Sequence, residues 1–237
     1  MSRFYVNLPL EQACEISLPE DVVRHISVLR LRLTDKISLF NGDGYDYVAE
    51  FSEFERRKIS VKIIAINLVQ NESKLKLTLL MSIIASDKFD WVVQKAVELG
   101  VTCLIPVYAQ NTQRFKADKL ASRMEHWRKI ILAASEQSGR ALLLELLEPL
   151  ELASAVAKSN AVTKFILSPH HAGQLSLHAH ESVDLLVGPE GGFNQAEVEL
   201  AHQAGFSSWQ LGGRILRAET AALSGISLLQ AHFGDFA

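Results

Sequence analysis

Two glycine-containing segments in the last quarter of the chain limit its fold more than any other feature. The first is LLVGPEGGFN at 185–194, and the second is LGGRILRAETA at 211–221. Each is predicted to run from a buried strand into a loop and then into a helix. Glycines lack a Cβ, so such loops can turn sharply and let a ligand approach the main chain. The two loops together predict the walls of a small-molecule pocket.

The chain from residue 75 onward alternates between apolar runs of strand length and segments with helical periodicity. Strands are predicted over 75–84, 103–107, 165–168, 183–187 and 209–211, and helices over 86–100, 116–135, 194–205 and 218–233. This alternation predicts a parallel sheet with helices on both faces, and taken alone it indicates an unknotted, doubly wound α/β domain. Ligands of open α/β sheets bind beyond the carboxyl ends of the strands, where both loops are placed.

The first 70 residues are predicted to form mainly strands, with one short helix that begins near Pro19. The residues NGDG at 41–44 tolerate positive φ and predict a hairpin turn. These elements predict a small module of the β-barrel type, and the polar residues 70–74 mark its end. We therefore predict two domains, at 1–70 and at 74–237.

Composition and charge make several classes of protein improbable. The chain is 48% hydrophobic and 22% charged, and no apolar run approaches the roughly 18 residues of a membrane span. Its start has no apolar core of signal-peptide length, and Cys14 and Cys103 lack metal-ligand spacing. We therefore predict a cytoplasmic protein with no membrane segment and no disulfide. The net charge of −3 indicates no global nucleic-acid surface, although a local basic face would be sufficient.

The first glycine-containing loop favours a cationic ligand over a phosphate. Its order is Gly-x-x-Gly-Gly, unlike the Gly-x-Gly-x-x-Gly of dinucleotide-binding folds, and Pro189 removes an amide that a phosphate would use. Glu190 would repel a phosphate but would attract a cation. S-adenosylmethionine is such a ligand, because it carries a sulfonium. Tight turns in an ordinary α/β domain are the alternative interpretation of these glycines.

The two segments together resemble the ribosomal RNA small subunit methyltransferase E family of the SPOUT superfamily. The same family is indicated by QKAVELGV at 94–101, WRKI at 127–130, EQSGR at 136–140 and VLRL at 28–31. That family methylates N3 of one uridine, of the uridine-1498 type, in 16S ribosomal RNA. The resemblance implies an enzyme that uses S-adenosylmethionine and acts as a homodimer. It also implies a trefoil-knotted C-terminal SPOUT domain and an N-terminal PUA-like β-barrel that binds RNA.

The resemblance also implies which residues hold the cofactor. The first loop is expected along one side, the second loop around the adenine, and the end of the 165–168 strand as a third wall. The implied cofactor-binding residues are Leu167, Gly188, Pro189, Glu190, Gly191, Gly192, Leu211, Gly212, Ile215, Leu216 and Thr220.

Arg217 and Glu219 are the implied catalytic residues. Methyl transfer from a sulfonium is an in-line displacement that depends on alignment. A cation near uracil O2 or O4 would stabilise the anion that forms as N3 loses its proton. Arg217 is the proposed cation, and Arg140 or a residue of the second subunit could assist it. Glu219 could act as the base, or it could instead cap the last helix.

Four arginines are predicted to contact RNA. Arg3, Arg30 and Arg32 lie in the PUA-like module, where phosphate contact is implied by the resemblance and solvated surface charge is the alternative. Arg140 is the fourth. Two other functions remain open at this point: a SPOUT methyltransferase acting on tRNA, and a non-catalytic RNA-binding assembly protein.

Four histidines cluster in one stretch and raise the question of a metal site. The cluster lacks cysteine and lacks a second ligand run at a recognised spacing, so exposed loop histidines are the favoured interpretation and no metal is predicted. The four are His170, His171, His178 and His180.

Overall fold

The structure is a computed structural model that describes residues 1–55, 58–168 and 181–236. The chain folds into two compact units. The first comprises Met1–Glu72 and Ser135–Leu143, and the second comprises Ser73–Ala134 and Leu144–Ala237. The division predicted from the sequence, at 1–70 and 74–237, is continuous along the chain. It therefore does not include the second segment of the first unit.

The first unit contains a five-stranded mixed sheet and one helix. Its elements are β1 (Ser2–Tyr5), β2 (Glu15–Ser17), α1 (Glu20–Val28), β3 (Lys36–Phe40), β4 (Tyr45–Phe54) and β5 (Ile59–Leu68). The strand order is β1-β3-β4-β5-β2, in which β1 pairs with β3 in parallel and the other pairs are antiparallel. Gly42 and Gly44 have φ of 95° and 94°, so the NGDG turn forms between β3 and β4 as predicted.

The second unit is built on a seven-stranded parallel sheet. Its elements are β6 (Lys76–Ser82), α2 (Ser86–Glu98), β7 (Cys103–Tyr108), α3 (Ala117–Ser138, whose last residues belong to the first unit), β8 (Glu145–Leu146), β9 (Leu150–Glu151), α4 (Leu152–Lys158), β10 (Thr163–Leu167), β11 (Ser182–Val187), α5 (Gln195–Gln203), β12 (Ser207–Trp209) and α6 (Ala218–Phe233). The strand order is β12-β10-β11-β6-β7-β8, and β9 also pairs with β7. Every pair is parallel, which confirms the predicted parallel sheet.

The core of the second unit lies on both faces of this sheet. Leu79 and Met81 of β6 contribute to a cluster that includes side chains of α2, α3 and α6. Leu80, which lies between them, belongs to a second cluster with side chains of α4 and α5. Because successive strand residues point to opposite faces, this alternation shows helices covering both sides, as the sequence predicted.

Several short elements differ from the sequence prediction. The prediction omitted β2, β8, β9 and α4, because strands of two or three residues and a helix of seven carry too little periodicity. The last strand was predicted at 209–211, whereas β12 is Ser207–Trp209. The two serines conceal this edge strand in the sequence, and Gln210 and Leu211 already belong to the loop that follows.

Cys14 and Cys103 are free thiols. Burial, with a smaller contribution from the nearby carboxylates of Glu145 and Asp184, raises the pKa of the Cys103 thiol to about 12, so the thiol is protonated at neutral pH. Within the described ranges, no helix combines the length and the apolar character that crossing a membrane would require.

Gln230 on α6 joins the beginning of the second unit to the end of α2. It is fully buried, it accepts a hydrogen bond from Ser73 Oγ at 2.6 Å, and its Nε2 donates to the carbonyl of Leu99 at 2.8 Å. We expect Gln230→Leu to lower the free energy of unfolding by about 2 kcal/mol, because two hydrogen bonds are lost and both partners, Ser73 and the Leu99 carbonyl, belong to partly buried residues. Urea unfolding measures this. Gln203→Leu, on the exposed face of α5, should change the value by less than about 0.5 kcal/mol, and equal effects would contradict the prediction.

Candidate functional site

The carboxyl ends of three neighbouring strands meet at one edge of the parallel sheet. β10 lies between β11 and β12, and Leu167 at its end is in register with Trp209 at the end of β12. The amide of Ser168 donates to the carbonyl of Trp209 at 3.1 Å, which holds these two chain segments together just past the sheet. The loops that follow β11 and β12 therefore leave from the same edge, where ligands of parallel sheets bind.

A cavity of about 780 Å³ lies at this edge. Its floor is apolar and includes Val187, Trp209 and Ala221, and its polar side chains include Lys88 and Arg214. All of the predicted cofactor-binding residues line it except Thr220, which is exposed on the first turn of α6: Leu167, Gly188, Pro189, Glu190, Gly191, Gly192, Leu211, Gly212, Ile215 and Leu216. Arg217 lines it as well, whereas Glu219 does not.

The first wall is the loop at 188–193. Two of its glycines are required for different reasons, one steric and one conformational. A Cβ on Gly188 would lie 3.2 Å from the ring of Phe193, closer than ordinary contact. Gly192 has a φ of +68°, a conformation that side-chain-bearing residues rarely adopt, and its amide closes a turn on the carbonyl of Pro189 at 2.9 Å. The tight course of this loop brings its main chain to the cavity.

Two carboxylates, those of Glu190 and Glu197, hold the first wall in place through hydrogen bonds to main-chain amides. Asn194 caps α5 as predicted, since its side chain accepts from the amide of Glu197 and Glu197 accepts in return from the amide of Asn194. The second oxygen of Glu197 accepts from the amide of Gln110 at 2.7 Å. Glu190 accepts from the amide of Ala85, the N-cap of α2, at 3.0 Å. These bonds fix the loop against two other segments of the unit.

The second wall is the loop at 210–217. Gly212 has a φ of +78°, and Leu211 and Leu216 are half-buried. The side chain of Ile215 is 81% exposed at the cavity, which leaves apolar surface for a ligand or a partner to cover. Arg217 is the N-cap residue of α6, and its carbonyl accepts from the amide of Ala221 at 2.8 Å. The helix therefore fixes the backbone from which the Arg217 side chain extends.

Glu219 lies behind the cavity and not in its wall. The residue is 9% exposed, and its Oε2 is buried without a hydrogen-bond partner in the part of the chain that the structure describes. Its Oε1 lies 3.8 Å from Nζ of Lys88, a cavity residue that sequence reasoning missed. The sequence could have indicated Lys88, because α2 begins just after β6 and its first turn therefore lies at the same edge of the sheet.

Arg3 is engaged inside the first unit. Its guanidinium donates to Asp46 at 2.8 Å and to the carbonyls of Ser135 and Arg140 at 2.7 and 2.9 Å. It also lies over the ring of Phe40, 3.7 Å from the centroid. With only 9% of its side chain exposed, Arg3 holds two distant segments of the unit together and has little surface left for RNA.

Of the other three predicted RNA-binding arginines, one is engaged within the protein, as Arg3 is, and two are exposed. Arg140 is 5% exposed and donates to both carboxylate oxygens of Glu72, at 3.0 and 2.8 Å. Arg30 and Arg32 are exposed. The structure therefore gives Arg3 and Arg140 structural contacts, and it leaves Arg30 and Arg32 accessible.

The predicted histidine cluster lies outside the described residues. Among the residues that are described, no group of three or more His, Cys, Asp or Glu side chains is arranged to hold a metal ion.

Comparison with known protein families assigns both parts of the chain. A family described as the RNA methyltransferase domain matches residues 71–230, and a family described as the RNA methyltransferase PUA domain matches residues 18–64. The chain is 32% identical to ribosomal RNA small subunit methyltransferase E of Buchnera aphidicola, over 98% of this chain and 97% of that protein. It is 31% identical to the protein of the same name from Rickettsia conorii, over 100% and 99%.

A solved structure shows the same likeness in three dimensions. The crystal structure of a ribosomal RNA small subunit methyltransferase E from Neisseria gonorrhoeae, bound to S-adenosyl methionine, matches with a TM-score of 0.94 and 37% identity over 100% of both chains. The parallel α/β unit and the mixed-sheet unit thus correspond to a SPOUT methyltransferase domain and a PUA-like domain. The chain belongs to the ribosomal RNA small subunit methyltransferase E family.

Proposed function

We propose that this protein transfers the methyl group of S-adenosylmethionine to N3 of one uridine in 16S ribosomal RNA of the small subunit. The observation that carries the proposal is the cavity of about 780 Å³ between two glycine-containing loops at the carboxyl edge of the sheet. Its volume suits a ligand of this size, and its apolar floor suits an adenine. The Neisseria gonorrhoeae relative, which is bound to S-adenosyl methionine, has the same fold along its whole length.

The residues of the cavity fit the parts of this cofactor. Half-buried Leu211 and Leu216 offer apolar contact to adenine, and the glycines leave main-chain groups accessible to it. Glu190 supplies a negative charge that suits the two cationic groups of this cofactor, its sulfonium and the ammonium of its amino-acid part. When S-adenosylmethionine is bound, it supplies a methyl group already activated for displacement. The protein then has to hold the acceptor nitrogen in line with the methyl group and the sulfur.

Arg217 is the residue that we assign to the target base. It lines the cavity, its backbone is fixed by α6, and its side chain is exposed to solvent. A guanidinium near uracil O2 or O4 favours loss of the N3 proton and stabilises the anion that attacks the methyl group. Glu219 lies behind the cavity wall, so its geometry favours a role in placing other side chains over direct proton removal.

The segment at 28–33 is the RNA contact that we propose in the first unit. It carries Arg30 and Arg32 between exposed aliphatic residues, and Arg30 has a φ of +55°. The aliphatic residues are Val28, Leu29 and Leu33, which are 77%, 45% and 56% exposed. A strained, exposed, basic segment with apolar surface is suited to phosphate contact and to packing on a nucleic acid.

The double variant Arg30→Ala/Arg32→Ala tests this segment. We expect weaker binding to small ribosomal subunits and a slope of log affinity against log salt that is smaller by about 2, because two phosphate contacts are lost. Filter binding over a series of salt concentrations measures both. The pair Arg128→Ala/Lys129→Ala on α3 removes the same charge from another exposed surface. An unchanged slope in the first pair, or equal slopes in both, would show that the segment does not contact RNA.

The same family membership supports a trefoil knot, a homodimer and a cytoplasmic location as parts of the proposal. Trp91 on α2 and Leu228 on α6 are 44% and 41% exposed, and they supply apolar surface of the kind that a second subunit covers. Sedimentation equilibrium tests the dimer.

The proposed location follows from the proposed substrate. The cytoplasm is where ribosomal RNA of the bacterial small subunit is found.

The deciding experiment is methyl transfer from labelled S-adenosylmethionine to small subunits that lack the modification. One N3-methyluridine mapped in 16S ribosomal RNA is the expected product. Incorporation into tRNA instead would favour a tRNA methyltransferase. No incorporation, together with no binding of S-adenosylmethionine, would favour a non-catalytic assembly protein.

A further inference from the structure

We propose that Lys88 binds the carboxylate of the methionine part of S-adenosylmethionine, and that Glu219 is the positioning residue that holds Lys88 in place. The proposal rests on the proposed function, because it names how one group of that cofactor is recognised. It adds a polar contact to the cofactor, whose other assigned contacts in the cavity are apolar side chains, glycines and Glu190.

Lys88 reaches the cavity from the first turn of α2. It is a cavity-lining residue, and 31% of its side chain is exposed. Arg214 and Arg217, the other cations that line the cavity among the described residues, are more exposed to solvent. A charge that is partly removed from water interacts more strongly with an opposite charge than an exposed one does. Lys88 is therefore the cation of the cavity best placed to hold a small anionic group.

The ammonium of Lys88 has donors to spare. Its polar contact among the described residues is with Glu219, and the Nζ–Oε1 separation of 3.8 Å is too long for a hydrogen bond. An ammonium has three N–H donors, so a carboxylate could take at least two of them without displacing a protein group. The N–H donors of Lys88 are therefore available to a carboxylate ligand in the cavity.

Glu219 explains why the ammonium stays in this place. Its carboxylate is buried at the start of α6, and Oε2 has no hydrogen-bond partner within the described residues. A buried carboxylate without donors is costly unless a cation lies near it. Lys88 is that cation, and the attraction between the two keeps its side chain directed to the cavity. Because Glu219 does not line the cavity, it acts on the ligand only through Lys88.

Glu190 gives the same wall the opposite charge. One of its oxygens is bound to the amide of Ala85, three residues before Lys88, and the side chain lines the cavity. A carboxylate and an ammonium held by neighbouring parts of one wall match a zwitterion, and the amino-acid part of the cofactor is one. An adenine or a uracil has no such pair of charges. The arrangement therefore favours the methionine end of the cofactor over the target base.

Two ligands that differ only in the amino-acid part provide the test. S-adenosylhomocysteine and 5′-methylthioadenosine are both uncharged at sulfur and share the adenosine, but only the first carries the carboxylate and ammonium. We expect Lys88→Met to weaken S-adenosylhomocysteine and S-adenosylmethionine by about 10- to 100-fold, and 5′-methylthioadenosine by less than twofold. Titration calorimetry measures all three dissociation constants. Lys129→Met, an exposed lysine on α3, should change none of them.

Two further variants separate charge from folding. Lys88→Arg keeps the cation and should retain S-adenosylhomocysteine affinity within about fivefold, which also tests the proposal if Lys88→Met fails to fold. Glu219→Gln keeps the size of the side chain and should give a smaller loss than Lys88→Met with the same ligand selectivity. A merely structural role of Glu219 would weaken both ligands alike.

Each possible result of these experiments leads to a different conclusion. An equal loss for both ligands in Lys88→Met would overturn the inference, because it would mean that the cavity as a whole had changed. Unchanged cofactor binding with slower methyl transfer would also overturn it, and would assign Lys88 to the RNA. If the wild-type protein bound neither S-adenosylmethionine nor 5′-methylthioadenosine, the proposed function itself would fail. Wild-type binding with an unaffected variant would remove this inference alone.

Discussion

Replacing Arg217 with alanine is expected to slow methyl transfer to the small subunit by about 100- to 1,000-fold while the dissociation constant of S-adenosylmethionine stays within about twofold. The reason is that Arg217 acts on charge that appears only as the uracil loses its N3 proton. An interaction present mainly in the transition state changes the rate and not the affinity for the cofactor. The side chain is exposed at the cavity, so its removal should leave no buried gap.

Arg214→Ala is the matched control for this prediction. Arg214 lines the same cavity, is also exposed and has the same charge, but it lies in the middle of the second loop. The backbone of Arg217 is instead held by α6, through the bond from the amide of Ala221. We therefore expect Arg214→Ala to lose less than about tenfold in rate. Single-turnover methyl transfer at saturating cofactor measures both variants.

Two results would remove Arg217 from the chemistry. The first is an Arg217→Ala variant with more than one-tenth of the wild-type rate. The second is a rate loss that follows a loss of cofactor binding, since that would make Arg217 part of the cofactor site. Arg217→Lys adds a further check, because a positive charge without the planar fork should restore part of the rate if charge is what the base requires.

The sequence predicts the local geometry of the two loops well, because the signal for it lies close by in the chain. Gly192 and Gly212 stand out because each belongs to a pair of adjacent glycines, and both adopt the positive φ that glycine allows. Asn194 followed three residues later by Glu197 predicts a helix cap, and both reciprocal hydrogen bonds form. Each of these features depends on residues within about one turn of chain, so a single sequence contains the information.

Features that depend on distant partners could not be predicted in this way. Arg3 and Arg30 have the same charge in the same module, yet Arg3 is bound to residues 43, 132 and 137 positions away, and Arg30 is exposed. Nothing near Arg3 in the sequence indicates those partners. The pairing of Lys88 with Glu219 also joins α2 to α6, and becomes visible only when the sheet brings the two helices together.

A leucine at Gly192 is expected to raise the dissociation constant of S-adenosylmethionine by about 100-fold or more, whereas a leucine at Gly205 should leave it unchanged. Both glycines belong to the second unit and have positive φ, +68° at Gly192 and +89° at Gly205, and a Cβ on either would meet no atom within 4 Å. The difference is that Gly192 lines the cavity and Gly205 follows the end of α5.

The comparison separates two costs that a single glycine variant would combine. Each leucine should lower the free energy of unfolding by about 1–2 kcal/mol, because each forces a side-chain-bearing residue into the left-handed region. Urea unfolding should therefore give similar losses for the two variants, and calorimetry should give different cofactor affinities. Similar affinities in both would mean that the space beside Gly192 is not occupied by the ligand. If only the Gly192 variant loses cofactor affinity, backbone strain cannot be the cause, because the Gly205 variant carries the same strain. The ligand must then lie against the main chain of the first loop.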